Sequence, residues 1–203
     1  MPEPFNPLDM LSLAQSIHIA LLDQEPVPME SVPQFEGAGI YAIYYVGRFP
    51  AYSLLAEANA GGDWTTPIYV GKAIPEGGRK GILGIKKTSA LSKRLKEHRG
   101  SVEAAANLDA ADFYVRWLVV EPIWIPLGES LLINRYVPVW NSLIDGFGNH
   151  MPGGGRDKTV ASKWDVLHPG RSWSTGLLAR SLGDQESIAS EASDYLLQRI
   201  PPK

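Results

Sequence analysis

The sequence contains no cysteine. That absence excludes disulfides, thiolate zinc sites and a cysteine nucleophile, and it suits a reducing compartment. Histidine is scarce as well: His18, His98, His150 and His168 are the four in the chain, so an all-histidine metal site would consume most of them. No apolar run approaches the roughly 20 residues that a membrane-spanning helix needs. The start, Met1-Pro2-Glu3-Pro4-Phe5-Asn6-Pro7, lacks the basic and apolar segments of a secretory signal, so a cytoplasmic location is expected. Neither sign of charge dominates, with 19 basic and 22 acidic side chains among 203 residues, 44% of which are hydrophobic. This composition excludes a disordered chain. At roughly 150 residues per domain, the length allows one domain with extensions or two small ones.

The charge is unevenly distributed. From Lys72 to Arg99 there are nine basic side chains against two acidic ones, leaving ten basic and twenty acidic elsewhere. A positive stretch on an otherwise acidic protein is the footprint of a docked polyanion. On charge alone, a solvated lysine-rich face is an equal alternative.

Apolar residues at helical spacing from Leu8 to Asp23, after Asn6-Pro7, predict a first helix. Prolines at 26, 28 and 33 then predict a stiff connector. Gly39 to Val46 reads as a strand covered on both faces, with Tyr41, Ile43 and Tyr45 on one side and Ile40, Ala42 and Tyr44 on the other. A loop is expected from Ala56 to Asp63, then a second strand from Thr66 to Gly71, the two strands pairing as a hairpin with a long connection. Residues 72–88 are glycine- and lysine-rich without period and read as a basic loop inserted for function. Ser89 to Gly100 predicts a helix that puts Arg94 and His98 on one face, four residues apart, with Gly100 as its stop. A third strand from Phe113 to Val120 follows, then a helix from Pro126 to Arg135, an extended or turn segment through Trp140-Asn141, and a last amphipathic helix from Asp184 to Arg199.

One ordered set stands out: Gly39-Ile40-Tyr41, Tyr69-Val70-Gly71, Arg94 with His98, Glu129, and Asn141. Taken singly, each has an ordinary reading: packing tyrosines, an exposed helix face, a carboxylate suited to a first helical turn. Together and in this order, the set resembles the GIY-YIG nuclease superfamily, with Val70 replacing the isoleucine of the second tripeptide. The resemblance spans residues 37–145. It implies an α+β fold with a small, mostly antiparallel three-stranded sheet flanked by helices, a helical N-terminal extension at 1–36, and a C-terminal extension at 146–203 for DNA binding or dimerisation.

It also implies roles. Hydrolysis of a phosphodiester needs an activated water, neutralisation of transition-state charge and a proton for the leaving oxygen. Glu129 is a hard oxygen ligand suited to Mg²⁺, with Mn²⁺ as a substitute. Arg94 offers a planar fork of donors to the scissile phosphate. Tyr41 is implied as the general base, an unusual task for a phenol of reference pKa about 10, with His98 accepting its proton. Tyr69 orients water or phosphate, Asn141 orders the surroundings, and Lys72 adds a phosphate contact.

The chain is most similar to the Type II restriction endonucleases of the superfamily, and among them to those recognising the palindrome CCGCGG. This implies a double-stranded DNA substrate, a homodimer matching the twofold site, no membrane, and a cognate DNA methyltransferase as functional partner. Arg79, Lys80, Lys86, Lys87, Arg156 and Lys158 are candidate DNA contacts, to guanine edges or to phosphates. A nonspecific or structure-specific repair nuclease and a catalytically silent DNA-binding protein are the competing readings.

Overall fold

The computed structural model describes residues 9–75, 88–149, 161–174 and 183–200. Four strands, β1 (Val27–Pro28), β2 (Gly39–Tyr45), β3 (Tyr69–Ala73) and β4 (Phe113–Val119), form one antiparallel sheet in the order β1-β4-β2-β3. The described helices are α1 (Met10–Leu22), α2 (Ser53–Asn59), α3 (Ala90–Ala104), α4 (Ile125–Tyr136), α5 (Val139–Ser142), α6 (Lys163–Leu167) and α7 (Gln185–Leu197). The fold class is α+β, as the sequence led us to expect.

β2 is paired on both sides and buried along its whole length. Its period-two alternation divides the core. Tyr41, Ile43 and Tyr45 enter a large cluster with Leu91 and Leu95 of α3, Trp140 of α5, Trp164 of α6 and Ile188 of α7. Ile40, Ala42 and Tyr44 enter a smaller one with Leu21 of α1 and Ile125 and Leu132 of α4. Each such buried side chain contributes roughly 1.5–3 kcal/mol, which pins the register of β2 because a one-residue slip would exchange the two faces.

The expected three-stranded sheet is corrected to four strands. Val27 and Pro28 pair antiparallel with Val115 and Tyr114, in a segment read as a mere connector because of its prolines. The position is a sheet edge, where a residue lacking an N–H is tolerated. The expected loop from Ala56 is in part the helix α2, and the turn segment at Trp140-Asn141 is the short helix α5. β3 lies further along than the expected Thr66 to Gly71, because it is Tyr69 through Ala73 that pair in unbroken register with Ile43 through Gly39 of β2. Gly100 does not stop α3. The helix continues to Ala104 because Val102 is fully buried on the core side and Glu103 pairs with Arg99, outweighing the roughly 1 kcal/mol that a mid-helix glycine costs. α6 escaped the sequence reading altogether; Ser162 caps it by accepting from the Asp165 N–H.

A buried polar chain ties the end of α6 to α5, to the turn before α2 and to the segment after α3. Trp140 Nε1–H donates to Tyr52 Oη (2.8 Å), Tyr52 lies 2.8 Å from His168 Nε2, and His168 Nδ1 lies 2.8 Å from Asn107 Oδ1. A neutral imidazole protonated at Nδ1 satisfies every member.

Candidate active site

The two tripeptides meet across the β2–β3 ladder. Tyr41 lies directly opposite Gly71, and Gly39 opposite Ala73. Both glycines are dictated by space. A Cβ at Gly71 would meet Tyr41 at Oη and, at 2.6 Å, at Cζ, and Tyr69 Cε1 at 2.9 Å; one at Gly39 would meet the Leu118 carbonyl of β4. The glycine of the second tripeptide therefore makes room for the tyrosine of the first.

α3 lies over the same face and delivers Arg94 and His98 one turn apart. Tyr41 Oη is 2.6 Å from His98 Nε2, and both residues are buried, at 0% and 1% exposure. Tyr69, half-buried, packs its ring against Tyr41 and His98, with centroids 6.2 and 5.3 Å apart. Burial above all, then the neighbouring Tyr69 hydroxyl, pushes the Tyr41 pKa well above the ordinary phenol value; Arg94 acts in the opposite sense and does not prevail. Tyr69 is raised too, again by burial, with Arg94 opposing. Burial pulls the Arg94 pKa down, but the contacts with Tyr41, Glu97 and Tyr69 outweigh it and hold the guanidinium charged. Its Nη1 donates to Glu97 Oε2 at 3.1 Å and its Nη2 to the Gly148 carbonyl at 2.7 Å. Arg94 and His98 also form part of the wall of a cleft of about 280 Å³ beside α3.

Glu129 approaches from α4 on the other face of β3, where it forms an ion pair with Lys72. Its charge is felt at both phenols, raising their pKa values. Among the described residues, no three histidine, aspartate or glutamate side chains converge as a metal cluster. The donor set for a divalent cation is then one partly exposed carboxylate. That fits Mg²⁺, which keeps several waters and takes phosphate oxygens, and such a cation would compete with Lys72 for Oε2. Asn141 stands behind the site: its Oδ1 accepts from the Val70 N–H and its Nδ2 donates to the Val70 carbonyl, both at 2.8 Å. It thus continues the ladder on the open edge of β3.

Tyr41, Tyr69, Arg94 and His98 are thus brought together, with Lys72 and Glu129 beside them across β3 and Asn141 as a bracket. Arg79, Lys80, Lys86, Lys87, Arg156 and Lys158 lie outside the described residues. Sequence reasoning missed Phe147, whose ring stacks on His98 at 4.4 Å and 16°, and the Gly148 carbonyl that receives Arg94. The glycines flanking Phe147 were the available signal. His168, like His98, is buried, but its partners belong to the polar chain under α5 rather than to this site.

The family of the Eco29kI GIY-YIG domain matches this chain over residues 33–196, which includes both tripeptides, Arg94, His98, Glu129 and Asn141. The chain belongs to that family. It is a restriction-type nuclease of the GIY-YIG class that acts on DNA. No curated protein matches it. Among the described residues, no helix of this GIY-YIG protein is long and apolar enough to cross a membrane. The match extends through α6 and most of α7, in keeping with the packing of Trp164, Leu167 and Ile188 into the same core as Tyr41.

Proposed function

We propose that this protein is a Type II restriction endonuclease that hydrolyses both strands of duplex DNA at a short palindrome, CCGCGG, with Mg²⁺ as cofactor and Mn²⁺ as a substitute. The observation that carries the catalytic reading is the 2.6 Å contact between Tyr41 Oη and His98 Nε2, with Arg94 one turn away on the same helix. A buried phenolate is costly, so Tyr41 works as a relay. Its oxygen takes a proton from the attacking water while its own proton passes to His98 Nε2, and no free phenolate accumulates. The water oxygen bonds to phosphorus, the opposite P–O bond breaks in line, and the leaving oxygen takes a proton from solvent. Arg94 holds the phosphate by charge-assisted hydrogen bonds as negative charge develops. Tyr69 and Arg94, the half-buried groups beside Tyr41, form the route by which substrate reaches it. Glu129 would hold Mg²⁺, which when bound supplies charge neutralisation at the phosphate. With a cation on Glu129, Lys72, its present ion-pair partner, would be available to a neighbouring phosphate. Asn141 keeps β3 in register.

A twofold dimer presents one such site to each strand of a palindrome. Arg79, Lys80, Lys86, Lys87, Arg156 and Lys158 contact the duplex, and the C-terminal extension contributes to DNA binding or dimerisation. The protein works in the cytoplasm, where a cognate methyltransferase protects the host site.

The test is digestion of a long, sequenced, unmethylated DNA with Mg²⁺, beside an EDTA control and the Glu129→Ala protein. Discrete fragments ending at CCGCGG, absent from both controls, are expected. Discrete ends at another palindrome would correct the site alone. A smear would replace sequence-specific cutting by nonspecific or repair cleavage. Intact DNA under every metal and salt condition would leave only a binding role.

A further inference from the structure

The residues Gly146-Phe147-Gly148 form a strap that touches the catalytic groups from one side and a buried arginine from the other. On the site side, the Phe147 ring stacks on His98 and meets the edge of Tyr69 at 5.0 Å, and the Gly148 carbonyl accepts from Arg94 Nη2. On the far side, Arg171 Nη2 donates to the Gly146 carbonyl at 3.0 Å and Nη1 to the Phe147 carbonyl at 3.3 Å. One guanidinium therefore pins two consecutive carbonyls, and the third holds Arg94.

Arg171 is itself fixed on every side. Its side chain is 3% exposed; Nε and Nη2 lie 2.8 and 2.7 Å from Asp165 Oδ1, and the Trp164 and Trp173 rings flank the guanidinium at 4.4 and 4.5 Å. Asp165 is in turn held by the Ser162 hydroxyl at 2.6 Å. Gly146, at φ +102°, lies so close to Ser162 that a Cβ would collide with its hydroxyl. So enclosed a cation is unsuited to gripping DNA. Its planar fork is suited to holding a backbone in one conformation, which a lysine cannot do.

We infer that Arg171 is a positioning residue of the active site, setting the orientation of Arg94 and His98 through the 146–148 strap. This rests on the reading of those two side chains as catalytic. A C-terminal residue 73 positions beyond His98 in the chain thereby acts on chemistry carried by α3.

Arg171→Lys keeps the charge opposite Asp165 and removes the fork. Its single-turnover cleavage of the unmethylated DNA should fall about 10- to 100-fold, as expected for a displacement near 1 Å. Its affinity for the same DNA without divalent cation should change less than about threefold, since ground-state binding is spared. In the NMR spectrum, the His98 ring protons, assigned with His98→Gln, should move downfield as the shielding face of Phe147 leaves, in the same direction as in Phe147→Leu. A purely stabilising role would lower the melting temperature and leave the resonance of the folded protein in place. Should Arg171→Lys not fold, Trp173→Leu, which removes the partly exposed ring that covers the guanidinium, should shift both rate and resonance in the same directions to a smaller extent. A wild-type rate together with an unmoved His98 resonance in whichever variant folds overturns the inference. If instead Arg94→Ala and His98→Gln cut DNA like the wild type, the catalytic reading beneath it fails, and the NMR comparison still reports whether Arg171 holds the strap.

Discussion

Replacing Gly71 with alanine puts a methyl group where the Tyr41 ring already lies. The new Cβ would sit 2.6 Å from Tyr41 Cζ and 2.9 Å from Tyr69 Cε1, and Tyr41 has no room behind it because it is completely buried. The ring must tilt or β3 must lift from β2. Overpacking of this kind costs about 1–3 kcal/mol. If Tyr41 also leaves His98, buried polar groups lose their partner at about 1–3 kcal/mol more. At roughly 2–4 °C per kcal/mol for a chain of this size, the melting temperature should drop by about 5–20 °C. Catalysis should suffer more than stability, by about 100-fold or greater, because the relay depends on a contact that a shift of about 1 Å destroys. Thermal unfolding and single-turnover cleavage with enzyme in excess measure the two effects on one preparation. Tyr41→Phe in the alanine background removes the hydroxyl that collides with the new methyl, so the two substitutions should be less than additive in stability. A stability change within the ±0.5 kcal/mol or so typical of surface substitutions, with the cleavage rate intact, would refute the idea that this glycine exists to admit Tyr41.

Gly100→Ala should do the opposite: the site is exposed in mid-helix with nothing within 4 Å of the added Cβ, so stability should rise by about 0.5–1 kcal/mol, read as an increased urea midpoint. Asn141→Ala removes both hydrogen bonds to Val70, at about 1–3 kcal/mol, and hydrogen exchange at the Val70 amide should accelerate. Asn141→Asp should cost more, since a second acceptor would face the Val70 carbonyl. The His168 pKa is lowered by burial from 6.5 to about 3. The folded protein keeps this ring neutral while the unfolded chain protonates it, so its contribution is fully present above pH 6.5 and is lost as pH falls toward 3, at about 1.4 kcal/mol per pH unit. Urea unfolding between pH 7 and pH 4 should show this limb, and His168→Gln should flatten it; an unchanged slope would remove His168 as its source.

Much of the site was legible in the residues, and the reasons are local. Tyr41 sits on a strand whose alternation is clean, Arg94 and His98 are separated by one helical turn, and Glu129 lies where a proline-initiated helix begins. What escaped was set by context. Val27-Pro28 reads as a connector because prolines rarely join sheets, and only the free edge of β4 accepts it. Gly100 reads as a stop until Val102 is seen to be buried beyond it. Phe147 carries no catalytic atom, so nothing in its chemistry marks it; its importance is that its face covers His98.

The sequence by itself determined the family, the fold class and the set of chemically competent residues, because periodicity, chain order and residue chemistry are properties of the string. The tertiary structure decided how those residues are held. Antiparallel register sets Gly71 under Tyr41, burial raises the Tyr41 phenol pKa and holds its oxygen 2.6 Å from His98 Nε2, and the packing of α6 brings Arg171 behind the strap that carries Gly148 to Arg94. Distance, burial and electrostatic environment arise only when remote segments are packed together, and no local pattern encodes them.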